Sequence, residues 1–431
     1  MPEYKTSVRE MIERRNRLLG KAYRLFYSEP IQLVRGDGVW LYDADGRQYL
    51  DVYNNVPHVG HCHPHVVEAL TRQIQTLNTH TRYLHEGVLE YAEKLVAKFP
   101  EPLRIAMFAC TGTEANELAL RIARARTGGT GVIVTENAYH GNSWAIAQIS
   151  TCDQSHELRE PNIVTVPAPD TYRGLYREDD PVAGDRYAAL VHEAIATLES
   201  RGIKLAAFIV DTIFSSDGVP RVPAGYMQRA VDTVRSAGGV FVADEVQAGF
   251  GRTGHDFWGF QGHGVVPDIV TMGKPMGNGH PVSAVVTSAE VIEPFEHRAQ
   301  YFNTFGGNPV SCAAASAVLE VIEAESLQQN AAKVGDYLNE GLNQLAGRHE
   351  AIGDIRGSGF FIGIDIVSDR KNRTADGACA KKLVDGLRQR GVLAGLDGPH
   401  NNVVKMRPPM VFDRDHADLL LQRMDETLKA V

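Results

Sequence analysis

Paired cysteines are missing from this chain. It has five, Cys62, Cys110, Cys152, Cys312 and Cys379, scattered and never in a CxxC spacing. An odd, dispersed set suits reduced thiols in a cytosolic protein and argues against a disulfide framework. No apolar run is long enough to span a bilayer, so no membrane partner is expected. Met1 to Arg17 is charged throughout and has no apolar core of the signal-peptide kind, which makes the cytoplasm the expected compartment. No long basic block occurs and the net charge is −9, so nucleic acid is not an expected partner. Internal repeats and low-complexity tracts are absent.

What remains is an ordinary globular composition, 43% hydrophobic and 23% charged, over 431 residues. That length exceeds one hydrophobic core and calls for two domains or a large domain with an extra lobe. Strand patterns at Arg104–Cys110, Gly131–Thr135, Leu205–Val210, Gly239–Ala243 and Asp268–Val270 alternate with helical patterns at Tyr187–Ser200 and Gly225–Ser236. Such alternation predicts a mostly parallel sheet with helices on both faces. The character changes near 310–330, where helices and then alternating strands give an α+β lobe. The expected division is residues 1–60 as a segment joining the small lobe, 61–315 as the large domain and 316–431 as the C-terminal domain.

In such sheets ligands gather at the carboxyl ends of the strands. Thr111, Tyr139, Asp211, Asp244 and Lys274 all fall just past a predicted strand. Lys274 sits among Gly273, Gly277 and Gly279, which let a flat cofactor lie close to the backbone, and partial desolvation would free its amine for Schiff-base chemistry. Thr111 and Glu114 have capping-box spacing at the start of a helix, so Gly112 and Thr113 form a phosphate cradle, although capping alone also accounts for them. Together these residues make a site for a phosphorylated aromatic aldehyde. Lys274 would carry the Schiff base, Asp244 would keep the ring nitrogen protonated, Gln247 would bond the ring hydroxyl and Tyr139 would stack on the ring.

Two other patterns carry less. His58, His61, Cys62, His63 and His65 invite a metal, but no second cluster follows at zinc spacing, and a polar loop at a domain seam is the preferred reading. Gly249 to Gly254 matches GxGxxG, but it leads into Asp256-Phe257-Trp258 rather than a helix, so a dinucleotide site is rejected.

Five ordered motifs carry a resemblance over essentially the whole chain: Thr111-Gly112-Thr113-Glu114-Ala115-Asn116-Glu117, Tyr139-His140-Gly141, Ala243-Asp244-Glu245-Val246-Gln247, Met272-Gly273-Lys274 and Asn303-Thr304-Phe305-Gly306-Gly307-Asn308-Pro309. The chain resembles the class III, fold-type I enzymes that use pyridoxal 5′-phosphate (PLP). The resemblance implies that fold: a mostly parallel sheet sandwiched by helices, with a smaller α+β lobe. It implies cofactor binding by Gly112, Thr113, Tyr139, His140, Asp244, Gln247 and Lys274. It also implies a homodimer with shared active sites, in which Thr304 reaches the partner's cofactor phosphate.

Most of the class are ω-aminotransferases, which usually carry an arginine for the substrate carboxylate in an Arg-x-x-Pro-Pro segment. Here that position is Lys405, in Lys405-Met406-Arg407-Pro408-Pro409. An ammonium suits a phosphate as a point charge but lacks the bidentate fork. Asn54-Asn55-Val56 through His63-Pro64, Pro169 through Asp179, Gly273 to Pro281 and Asp397 to Pro409 resemble the ethanolamine-phosphate phospho-lyases. That branch implies elimination of phosphate from O-phosphoethanolamine, with Lys274 as the base. Acetaldehyde, ammonia and phosphate would be the products. Candidate grips on the substrate phosphate are Arg82 and Lys405, with Asn55 and Tyr27 behind them, and Arg407 is an equal candidate for the functional cation. An ω-aminotransferase, a phospho-lyase for a longer amine such as 5-phosphohydroxylysine, and a non-catalytic binding protein are the alternatives. The intact Lys274 and Asp244 pair argues against the last.

Overall fold

The structure, a computed structural model, describes residues 6–152 and 159–431. Helix α1 (Val8–Leu19) is charged and buries none of its residues; Ser7 and Glu10 close its N-terminus as a capping box. An antiparallel ribbon follows, made of β1 (Leu33–Asp37), β2 (Trp40–Asp43) and β3 (Gln48–Asp51). The turn at Asp43 is locked by its carboxylate, which accepts from the Asp45 and Arg47 amides. Helices α2 (Pro64–Thr76) and α3 (Glu86–Val96) lead into the large domain.

The elements that build the central sheet are β4 (Ile105–Ala109), α4 (Gly112–Thr127), β5 (Gly131–Thr135), α5 (Trp144–Ala147), β6 (Ile163–Val166), α6 (Ala183–Ser200) and β7 (Leu205–Asp211). They continue with α7 (Tyr226–Ser236), β8 (Val240–Asp244), β9 (Ile269–Met272) and β10 (Ser283–Thr287). The strand order is β4-β10-β9-β8-β7-β5-β6. Every pairing from β9 across to β6 is parallel, and β10 alone in this sheet runs against both neighbours. The β5, β8 and β9 side chains are buried throughout, as expected for strands covered on both faces. Strands β6 and β10 add to those expected from the sequence pattern. The first is a short edge strand, and the second follows β9 with no helix between them to mark a new unit.

Helices α8 (Ala289–Arg298), α9 (Pro309–Ala324) and α10 (Leu327–Ala346) precede the C-terminal lobe. That lobe contains β11 (Ile352–Ser358), β12 (Phe361–Asp369), β13 (Thr374–Ala375), α11 (Gly377–Gln389), β14 (Val392–Leu393), β15 (Gly395–Asp397), β16 (Val403–Met406) and α12 (Arg414–Leu428). Its sheet runs β11-β12-β16-β15, while β14 pairs in parallel with β3 of the N-terminal ribbon. Among the described residues no helix is long and apolar enough to cross a membrane.

Candidate active site

Lys274 follows β9 at the carboxyl edge of the sheet. Its loop is fixed from both sides. Asn278, held at φ 49°, accepts from the Val59 amide (2.9 Å) and donates to the Gly60 carbonyl (2.8 Å). At Gly277 a Cβ would lie 2.2 Å from the His280 carbonyl, so only glycine closes the turn. Burial pushes the Lys274 ammonium below its ordinary value, and the charge of Arg407 adds to this; Asp244 and Asp211 pull the other way. No hydrogen bond to the Lys274 amine is present among the described residues. A reactive amine is thereby kept available.

Asp244 ends β8 and is held on both oxygens. Oδ1 accepts from the Val246 amide (3.0 Å), and Oδ2 lies against Asn116 Nδ2 (2.9 Å) and His140 Nδ1 (2.7 Å). Asn116 also donates to the His140 carbonyl and accepts from Thr271 Oγ1. His140 thus commits Nδ1 to Asp244, while its buried Nε2 has no hydrogen-bond partner among the described residues. In the sequence Asn116 is marked only as a polar residue on the helix face that buries Ala115, Ala119 and Ile122.

Thr111 caps α4, accepting from the Glu114 amide (3.1 Å), while Glu114 accepts from the amides of Thr111 (2.9 Å) and Cys110 (2.8 Å). The first-turn amides of Gly112 and Thr113 are left as orphan donors at the positive end of the helix. A Cβ at Gly141 would stand 2.4 Å from Thr113 Oγ1, so glycine is what lets the loop after β5 close over this turn. A cavity of about 140 Å³ unites the parts: Gly112, Thr113, Tyr139, His140, Asp244, Gln247 and Lys274 line it, with Asp211. A larger cleft of about 340 Å³ around Arg221, His255 and His263 contains none of them.

The remaining candidates divide. Gln247 lines the cavity, but its amide is engaged: it donates to Ser215 Oγ (2.7 Å) and accepts from Arg407 Nη1. Arg407 is buried, 4% exposed, and its guanidinium sits 4.8 Å from the centre of the Tyr53 ring. Asn55 is buried beside it in the network, donating to the Gln247 carbonyl (3.0 Å), with its Oδ1 unpartnered. Lys405, on β16, does not face solvent. It is 5% exposed and in contact with the Asp397 carboxylate. Burial and the Arg407 charge push its ammonium well down, against the pull of Asp211. Tyr27 donates to the Ala394 carbonyl (3.0 Å). Arg82 and Thr304 are exposed; the Arg82 guanidinium lies 3.9 Å from the Phe302 ring centre, and neither residue lines the cavity of its own chain.

The histidine-rich loop disperses. His58 packs against Arg252 and the Phe250 carbonyl, His61 pairs with Asp51, His63 with Glu325 and His65 with Glu320. Among the described residues no group of histidine, cysteine and carboxylate side chains is arranged to hold a metal. Gly249 to Gly254 forms turns rather than a helix start.

The sequence pattern of the family Aminotransferase class-III matches residues 26–428. The chain belongs to that family. It is 46% identical to an alanine–glyoxylate aminotransferase 2-like protein of Drosophila melanogaster, over 98% of this chain and 87% of that protein. An ethanolamine-phosphate phospho-lyase homolog of Caenorhabditis elegans is 39% identical, over 98% and 94%. Among solved structures, an Arthrobacter phospholyase in complex with phosphoethanolamine is 46% identical, with a TM-score of 0.95 over 98% of this chain and all of that one. An amine transaminase from an uncultivated Pseudomonas species, in its PLP-bound form, gives a TM-score of 0.86 at 30% identity, covering 93% of this chain and 95% of that one.

The cofactor is PLP. The residues present fit it. A lysine with a depressed pKa, a carboxylate fixed by three donors, and a helix N-terminus kept open by glycine line one cavity.

Proposed function

We propose that this class III enzyme is a phospho-lyase that converts O-phosphoethanolamine and water to acetaldehyde, ammonia and inorganic phosphate. The observation that carries the reading is the state of Lys405. Where the aminotransferases of the class usually present an arginine fork to a carboxylate, this chain has a buried ammonium already in contact with Asp397. A carboxylate substrate finds no bidentate partner there. Arg407, two residues on and just past β16, is near enough for its charge to act on both Lys274 and Lys405, which puts a guanidinium beside the reactive amine. The likeness to the phosphoethanolamine-bound Arthrobacter phospholyase supports a phosphate as the anion.

Bound PLP supplies an aldehyde for the substrate amine and an electron sink for charge at the adjacent carbon. Asp244 would face the ring nitrogen, and Gly112 with Thr113 would hold the phosphate of the cofactor. Lys274 takes the proton from the carbon bearing nitrogen. Arg407 and Asn55 bind the substrate phosphate and orient its C–O bond for cleavage, with Arg82 of a second copy as a further grip. The bond breaks with its electron pair leaving on phosphate, and water then releases ammonia and acetaldehyde. The dimer, with Thr304 reaching across it, and a cytoplasmic location belong to this reading.

The test is incubation of the PLP-loaded protein with O-phosphoethanolamine and no keto acid. Phosphate and acetaldehyde are expected in equal amounts, and Lys274→Ala abolishes both. The 46% identity to an aminotransferase-named relative favours the second reading, an ω-aminotransferase. It is supported instead if neither product forms while pyruvate and a simple amine give alanine. Turnover of 5-phosphohydroxylysine in preference to O-phosphoethanolamine would move the substrate to a longer phosphorylated amine.

A further inference from the structure

Arg252 is fully buried, and no carboxylate stands within ion-pair distance of it among the described residues. A buried guanidinium without a counter-ion is costly, several kcal/mol even after relaxation, so its contacts need a reason. It comes from the glycine-rich turn that resembled a dinucleotide motif. Phe250, Gly251 and Gly254 all have positive φ, at 66°, 74° and 82°. A Cβ at Gly254 would meet the backbone of Ala332 in α10 at 2.6 Å. The turn is wound tightly against that helix, and its one long polar side chain points inward.

The guanidinium is held by three acceptors. Nη1 donates to the Pro408 carbonyl (2.7 Å) and to the Phe360 carbonyl (3.3 Å). Nη2 meets His58 Nδ1 at 3.0 Å. His58 Nε2 lies 2.8 Å from the Phe250 carbonyl, which can only accept, so Nε2 carries the proton and Nδ1 is the acceptor for Arg252. Burial and the Arg252 charge push the His58 imidazolium well down, which keeps the ring neutral and this arrangement fixed. The segment that Arg252 grips is also clamped at its ends: the Arg407 amide donates to the Val52 carbonyl (2.6 Å) and the Met410 amide to the His58 carbonyl (2.7 Å).

We infer that Arg252, locked by the neutral His58, is a positioning residue for substrate anion recognition: by holding the Pro408 carbonyl it fixes the backbone from which Arg407 reaches the site. This rests on the reading of Arg407 as an anion grip. Arg252 touches no reacting atom. Its effect is on where the Arg407 fork points, and a misplacement on the ångström scale is worth about 10- to 100-fold.

The test titrates the PLP-loaded enzyme by its visible absorbance with three amines: 2-aminoethylphosphonate, which carries a phosphate-like group that cannot be eliminated, β-alanine, and ethanolamine. Arg252→Met is expected to weaken the preferred anionic amine about 10- to 100-fold while ethanolamine changes less than about threefold. Arg407→Met should show the same selectivity, and the double variant should bind no worse than Arg407→Met alone. Arg252→Lys, which keeps one donor, should recover part of the loss, and it carries the test if the methionine variant does not fold. Equal loss for charged and neutral amines, or single losses that multiply in the double variant, would overturn the inference. A wild type that prefers the phosphonate, with Arg252 variants unchanged, leaves the phospho-lyase reading standing without this role. A wild type that prefers β-alanine, and loses it in Arg252→Met, keeps the role and removes the phospho-lyase reading.

Discussion

His140 and Asp244 form a buried pair, with Nδ1 of the imidazole 2.7 Å from Oδ2 of the carboxylate. Asn116 bonds to the same oxygen and to the His140 carbonyl, so the two residues and α4 are tied at one point. The carboxylate is aimed by this network rather than by its own rotamer alone.

Asn116→Ala is therefore expected to damage both stability and cofactor retention. The change leaves the Thr271 hydroxyl and the His140 carbonyl without a buried partner. A cost of about 2–4 kcal/mol follows, read as a drop in melting temperature. Because Asp244 keeps its charge but loses a brace, PLP should dissociate faster in dialysis. A variant that melts lower yet retains cofactor as wild type does would show that Asn116 serves packing only.

Lys274 and Arg407 are electrostatically opposed across the site. Burial depresses the Lys274 pKa first, and the Arg407 charge depresses it further. Removing that charge in Arg407→Gln must raise the pKa, so less free amine is present at a given pH. In cofactor-free protein, the rate at which an amine-reactive reagent labels Lys274, followed by peptide mass spectrometry, should rise with pH in both proteins. The variant's curve should be displaced to higher pH. Coincident curves would mean that Arg407 does not act on the lysine.

Asp217 gives a stability prediction with a definite sign. It accepts from Thr135 Oγ1 (2.8 Å) and the Asn137 amide (3.3 Å), and burial raises its pKa from 3.8 to about 7. Between those values the folded chain holds a proton that the unfolded chain has released, so this group makes stability fall as pH rises through that window. Asp217→Asn removes the dependence. The stability of the variant relative to wild type should improve by about 2–3 kcal/mol between pH 5 and pH 8. Glu245 is also raised to about 7 by burial, but it is common to both proteins and cancels in the difference. A constant gap between the two denaturation curves would contradict the buried, protonated carboxyl.

The sequence made the strand ends legible because their chemistry is local. A lysine between glycines, a capped helix start and an Asp after an apolar run each announce themselves within a few residues. It did not show what those side chains are spent on. Gln247 reads as a free amide until Ser215 and Arg407, 32 and 160 residues away in the chain, are seen to engage it. Lys405 reads as an available cation until β15 pairs with β16 and brings Asp397 against it. Arg252 sat inside a motif rejected for good reason, and only the packing of its turn on α10 gives it another purpose. Long-range pairing is what single-residue patterns omit.

Arg82 and Thr304 supply the last prediction. Both are exposed and stand outside the cavity of their own chain, and the rim around them is apolar, with Phe305 70% and Tyr83 66% exposed. If a second copy covers this rim, as the proposed homodimer requires, each site takes Lys274 from one chain and Arg82 from the other. Lys274→Ala and Arg82→Ala homodimers should each have little activity. Co-refolded in equal amounts, half the dimers are hybrids, and each hybrid contains one site with an intact Lys274 and an intact partner Arg82. Activity should return to roughly a quarter of wild type. Activity that never exceeds the mean of the two parents would place Arg82 in the site of its own chain or outside any site. Within its own chain the Arg82 guanidinium lies over the Phe302 ring and outside the Lys274 cavity, so the hybrid dimer is the arrangement that decides whether it serves a partner's site.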